Sequence, residues 1–293
     1  MDEWMSESDR YVFFSCYSIK ISYNPKQLIG MKVCVLGAGN VAGHLIEAFG
    51  AVGCHISVWN HAEESLRLLR RNGCTFFCTT DMKKLPIDAD IYIISVKDNA
   101  VCEVAKDLSV AMPDIKKTVV HTAGSLSADI LKPYFDLYGV MYPMQTFSKT
   151  KALDYSKIPF FIEGSETVLS LLRELLIPVS KNLFVLEGNK RRMLHLASVF
   201  ACNFVNHNIA IAFSLLDTID VPHSMLIPLI SETLDKLNYC TPIEGQTGPA
   251  VREDYNVMAS QMEMLDGFPL LKQIYQLESE SIVEFKHKHL KNS

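Results

Sequence analysis

The run Lys32-Val33-Cys34-Val35-Leu36 passes directly into Gly37-Ala38-Gly39-Asn40-Val41-Ala42 and then into a helical pattern. Few features restrict a chain more. Gly37 permits a tight turn, Gly39 leaves the space that a Cβ would take from a pyrophosphate, and Ala42 lets the helix lie close to the strand. The helix N-terminus adds unsatisfied N–H groups and a partial positive charge. This strand–turn–helix context predicts a Rossmann-type dinucleotide-binding domain starting at Met31. Gly37, Ala38, Gly39, Asn40, Val41 and Ala42 form its phosphate cradle. The alternatives are a glycine turn without a ligand and a methyltransferase with a nucleoside cofactor, whose glycine turn is usually less regular.

Strand and helix patterns alternate beyond the turn. HISVWN, DIYIISV, TVVHTAG, GVMYPM, PFFIEG and NLFVLEG read as strands. VAGHLIEAFGAVG, AEESLRLLRRNG, NAVCEVAKDLSVAM and LSLLRELLIPVS read as helices. The βαβα order predicts an α/β fold with a doubly wound parallel sheet over residues 31–187. From residue 188 the strand signal stops, and an all-α domain is predicted over 188–293. Its long first helix is apolar nearly all round, and the domain is short for an independent core. Both features predict a homodimer built through this half. Residues 1–30 are acidic and polar at their start and lack a basic n-region and a continuous apolar core, so they read as a poorly ordered extension rather than a signal peptide.

At 293 residues the chain has room for about two domains. The net charge of -5, with no Lys/Arg block, argues against nucleic acid or an anionic membrane surface as partner. No apolar run reads as long enough to span a bilayer, which takes roughly 20 residues. The eight cysteines are scattered without a CxxC pair. They read as reduced core thiols in a cytoplasmic compartment, with no metal site.

The second strand ends at Asn60, where a carboxylate would hold the ribose hydroxyls of NAD. Asn60 and His61, with Arg67 near them, favour NADP instead; Arg67, Arg70 and Arg71 also fit a solvated helix face. Ligands of such sheets sit at the carboxyl ends of the strands. This places Ser95, Val96, Lys97 and Asp98 after one strand and His121, Thr122, Ala123, Gly124 and Ser125 after the next, near the nicotinamide end. His121 reads either as a proton relay or as a cap on the sheet end. On the long helix, His195, Ser198, Cys202 and Asn206 fall within about 80° of one another at 100° per residue, flanked by Asn203 and His207. That stripe predicts His195 as proton donor or acceptor and Asn206 as a substrate-orienting group. The alternative is a ladder of interhelical hydrogen bonds.

The segments VLGAGNVAGHL, SVKDNAV, HTAGS, GVMYPMQTFS, LHLASVFACNFVNH and GQTGPAVRED carry a resemblance that extends from Met31 to the end. The chain resembles a family of Rossmann-like NADP-binding proteins with a helical C-terminal domain of unknown function. That family is similar to pyrroline-5-carboxylate reductase, prephenate dehydrogenase and the 6-phosphogluconate dehydrogenase group. The resemblance implies a C-terminal domain of the 6-phosphogluconate dehydrogenase type and dimerisation through it. Tyr142-Pro143-Met144 resembles the His-Pro-Met turn of prephenate dehydrogenases, and the run from Gly245 to Arg252 resembles a substrate-contacting segment of the pyrroline-5-carboxylate reductases. Arg252 would then grip a carboxylate or phosphate, or else pair with Glu253 or Asp254. Lys190 lacks the paired asparagines of the β-hydroxyacid dehydrogenase signature. The expected function is an NADP-dependent oxidoreductase transferring a hydride between the nicotinamide and a small anionic carbonyl, imine or hydroxyl substrate. The alternative is a non-catalytic NADP-binding sensor or scaffold.

Overall fold

The computed structural model describes residues 30–70, 76–113, 118–148 and 152–292. The expected extension over residues 1–30 lies outside these residues except for Gly30. Eight strands form one sheet: β1 Lys32–Leu36, β2 His55–Trp59, β3 Phe77–Thr79, β4 Ile91–Ile94, β5 Thr118–His121, β6 Tyr138–Pro143, β7 Phe160–Gly164 and β8 Leu183–Val185. Their order is β3-β2-β1-β4-β5-β6-β7-β8.

The side chains of β1 and β4 alternate between two cores. Val33, Val35, Ile91 and Ile93 meet helix α1 (Asn40–Ala51) through Leu45 and Phe49, and helix α4 (Glu166–Leu176) through Leu172 and Leu175. Leu66 of helix α2 (Glu63–Arg70) joins the same core. Cys34, Leu36, Tyr92 and Ile94 meet helix α3 (Val101–Ala111) through Val104, Ala105 and Leu108. Both faces of β4 are therefore covered, and the continuous apolar run Ile91-Tyr92-Ile93-Ile94 is fully buried.

Two details differ from the sequence expectation. β7 runs antiparallel to β6, whereas the other neighbouring strands are parallel. A parallel neighbour needs a long crossover, usually a helix. The described part of the β6–β7 connection offers only a short 3-10 turn at Tyr155–Lys157, so the strand returns beside its predecessor in the opposite direction. The three-residue β3 was also not expected, being too short to show a period.

After β8 the chain is helical. Helix α5 (Gly188–Ser198) leads into a π-helical segment, Val199–Phe204, and then into α6 (Val205–Asp217). Helices α7 (Ile227–Asp235), α8 (Pro249–Arg252), α9 (Tyr255–Met264) and α10 (Pro269–Asn292) follow. The chain divides into two compact units, Met1–Ala201 and Cys202–Ser293. Helix α5 therefore groups with the sheet, although residue 188 was the expected domain boundary.

Among the described residues of the second unit only Ala250, Leu265 and Ser279 are buried, while Phe204, Leu229, Leu234 and Leu237 stand exposed. The 30-residue stretch Gly188–Asp217 has a mean hydropathy of 1.5 over an 18-residue window and is long and apolar enough, by length and composition, to cross a membrane. This corrects the sequence reading that no run reaches that length. The polar residues scattered through the stretch interrupt its apolar runs without lowering the window's mean below that level.

Candidate active site

The glycine turn closes as its sequence requires. Gly37 has φ 131°, and its N–H donates to Trp59 O at 2.7 Å. A Cβ on Gly37 would lie 2.1 Å from Ser95 O, so the turn after β1 nests on the end of β4 only because no side chain intervenes. Gly39 is the N-cap of α1, and a Cβ built there meets nothing within 4 Å. No side chain caps the helix, so its first N–H groups face this open space. Asn40 is exposed, Ala38 and Val41 are half-buried and Ala42 is fully buried. The side chain of Asn40 donates to Phe147 O at 2.9 Å, and Nε2 of His44 lies 2.8 Å from Ser148 O. These bonds tie α1 to the connection after β6.

At the end of β2, Asn60 is buried and its Nδ2 donates to Ala62 O at 3.1 Å. His61 is exposed, and Arg67 lies 3.7 Å from Glu63 with both side chains solvated. No carboxylate stands at position 60 to repel a 2′-phosphate. An open helix N-terminus, a close-packed glycine turn and a carboxylate-free strand end together fit NADP.

The loops after β4 and β5 follow the carboxyl ends of neighbouring strands. Thr122 Oγ1 donates to Ser95 Oγ at 3.2 Å, and Ser125 donates to the carboxylate of Asp98. Val96 is half-buried and Lys97 exposed. His121 is fully buried. Its Nδ1 accepts from the Ala123 N–H at 3.2 Å, leaving Nε2–H to donate to Ser127 O, also at 3.2 Å. Burial pushes its pKa down to about 4, against the opposing pull of the Ser127 carbonyl. A neutral ring with both nitrogens committed to backbone shapes the 121–127 loop.

Arg191 holds the same loop from the other side, a role that sequence reasoning missed. Its side chain is 0% exposed and pairs with Glu163 at 3.1 Å. It also donates to Ala123 O at 3.0 Å, to Gly124 O at 2.6 Å and to Leu126 O. An Arg four residues before His195 on a helix that predicts burial was the available signal, but beside Lys190 and Arg192 it reads as part of a solvated helix start.

One turn along α5, His195 meets Tyr142. The Tyr142 hydroxyl and His195 Nδ1 are 3.0 Å apart, and the rings meet edge to face with centroids 5.5 Å apart. His195 is half-buried, and its Nε2 has no hydrogen-bond partner among the described residues. Gly124 seats the pair: a Cβ there would lie 2.6 Å from His195 Nδ1 and 2.8 Å from the Tyr142 ring. Burial raises the Tyr142 pKa, opposed by a hydrogen bond with Ser198 and by the Arg191 charge. Tyr142 lies in the expected strand and at the position that the resemblance to the His-Pro-Met turn marked.

Asn206 and Arg252 belong to the second unit, and both are exposed. The count of 100° per residue from His195 to Asn206 does not carry through Val199–Phe204, because the wider π turn advances each residue by a smaller angle. Arg252 ends α8 and makes no ion pair among the described residues; Glu253 pairs instead with Lys286 and His287.

Residues 32–123 match the family described as NADP oxidoreductase coenzyme F420-dependent, and residues 158–282 match a domain of unknown function, DUF2520. Among solved structures, a Bacteroides fragilis protein described as an NADP oxidoreductase is 36% identical, with a TM-score of 0.81, covering 88% of this chain and 100% of that one. An imine reductase from Myxococcus stipitatus in complex with NADP+ is 14% identical with a TM-score of 0.62, covering 89% and 95% of the two chains. A reductive aminase from Aspergillus terreus in complex with NADPH is 16% identical with a TM-score of 0.58, covering 80% and 78%. At such identities the last two share the fold. No protein with a curated description matches the chain.

Proposed function

Because the chain belongs to the NADP oxidoreductase family that joins a Rossmann domain of the coenzyme F420-dependent type to a DUF2520 helical domain, we propose that it transfers a hydride between NADP(H) and a small carbonyl, imine or hydroxyl substrate. The observation that carries this reading is the Tyr142–His195 pair, 3.0 Å apart at the carboxyl end of β6. When bound, the cofactor supplies or accepts the hydride. The protein must then move one proton to or from the substrate heteroatom. His195 can hold that proton at Nε2 while Nδ1 stays bonded to the Tyr142 hydroxyl, and Tyr142, held by Ser198 and Gly124, fixes the ring. Arg191 and His121 fix the loop beneath, so the reacting groups need little rearrangement. The sparse burial of the second unit supports pairing of two copies through residues 188–293.

The test is turnover of NADPH against keto acids, aldehydes and cyclic imines. His195→Ala should lower kcat by about 10²–10⁴, while NADPH affinity stays within a few-fold and the protein stays folded. Undiminished turnover in folded His195→Ala refutes the proton assignment. NADPH binding without turnover on any substrate favours the non-catalytic sensor.

A further inference from the structure

Arg191, His121, Lys97 and Asp98 are among the chargeable side chains near the carboxyl ends of β4 and β5. The Arg191 charge is spent on Glu163 and three carbonyls. His121 is held neutral at ordinary pH, since burial takes its pKa to about 4. Lys97 is exposed and makes no ion pair among the described residues. Asp98 remains. It opens the short turn Asp98–Ala100 just after β4 and accepts a hydrogen bond from Ser125, on the loop after β5. That bond bridges the two loops and holds the carboxylate between them. Its field reaches inward, where it pulls the pKa values of both His121 and Tyr142 upward.

In a sheet ordered 3-2-1-4-5-6, the turn after β1 and the end of β2 serve the adenosine half of a dinucleotide. The ends of β4 and β5 serve the nicotinamide half. The nicotinamide ring is a cation in NADP+ and neutral in NADPH. A fixed carboxylate on that side therefore stabilises the oxidised form more than the reduced one. We propose that Asp98, held by Ser125, poises the bound cofactor toward hydride donation and so biases the protein toward reduction of its substrate. This inference rests on the dinucleotide site proposed above. In the favoured direction NADPH loses a hydride and becomes NADP+, while the substrate gains that hydride and one proton.

The ratio of the two dissociation constants, Kd(NADP+)/Kd(NADPH), measures this bias without any substrate. Both constants are read by titration calorimetry at pH 7.5 for the full chain and for Asp98→Asn, Asp98→Glu and Ser125→Ala. Asp98→Asn should raise the ratio about fivefold, as expected for one charge several ångströms away at a wet protein surface. Asp98→Glu should stay near the parent value. Ser125→Ala, which keeps the charge but frees it to solvent, should move the ratio part of the way and serves if Asp98→Asn does not fold. An unchanged ratio in Asp98→Asn, or in Ser125→Ala where Asp98→Asn does not fold, overturns the proposal. Equal weakening of both constants also overturns it, because that marks a packing role. If the parent chain binds neither form, the dinucleotide reading falls as well; if it binds both and only the ratio fails to respond, the redox inference alone falls.

Discussion

Replacing Arg191 by Met should be among the most damaging single changes in the sheet-containing unit. The methionine fills much of the volume but removes every donor. Glu163, whose side chain is only 17% exposed, loses its counter-charge, and the carbonyls of Ala123, Gly124 and Leu126 lose their hydrogen-bond donors. Breaking a buried ion pair from one side costs about 3–5 kcal/mol. Each carbonyl that water does not reach adds about 1–3 kcal/mol. Against a total stability of roughly 5–15 kcal/mol, the variant should be marginally folded. Arg191→Lys keeps the charge but presents a point ammonium instead of a planar fork, so it should recover only part of the loss. Adding Glu163→Gln to Arg191→Met removes the orphaned carboxylate and should also recover part. Urea unfolding followed through Trp59, the buried tryptophan of β2, reads all four proteins. An Arg191→Met variant within about 0.5 kcal/mol of the parent, the scatter of ordinary surface changes, would refute the clamp.

The pH dependence of stability should carry the signature of His121. Its folded pKa of about 4 lies below the unfolded value of roughly 6.5, so between these pH values the unfolded chain takes up a proton that the folded chain refuses. Stability should be full above pH 6.5 and fall by about 3 kcal/mol on acidification to pH 4; a His121→Gln variant that shows the same fall would count against this. NADPH should bind at least about tenfold tighter than NADH, since charge-assisted hydrogen bonds to the 2′-phosphate are worth about 1.5–3 kcal/mol each. Equal affinities in a fluorescence titration would remove the role given to the carboxylate-free end of β2. Light scattering at micromolar concentration should give a mass near twice 33.0 kDa, and a monomer would refute the pairing of two copies.

The glycine turn and the buried run of β4 were legible because each states its environment locally. A GxGxxA turn has one common use after a first strand, and a four-residue apolar run without alternation needs cover on both faces. The direction of β7 was not legible, because a period of two is the same for parallel and antiparallel strands. His195 could be singled out as a polar residue on an apolar helix. Arg191 was harder to single out, because its carbonyl partners lie 65–68 residues earlier in the chain and its spacing from His195 was masked by Lys190 and Arg192 on either side. The phase of the stripe toward Asn206 was lost to the π segment, whose residues Val199-Phe200-Ala201-Cys202-Asn203-Phe204 look like ordinary helix formers.

Gly124 also bears on timing. Its missing side chain lets His195 and Tyr142 rest directly on the loop that follows β5, at separations no methyl group could share. That loop and the His195 helix belong to the same compact unit. His195, Tyr142 and that loop therefore move as one piece. On the reading proposed above, the spacing between hydride and proton is then set inside this one unit before substrate arrives.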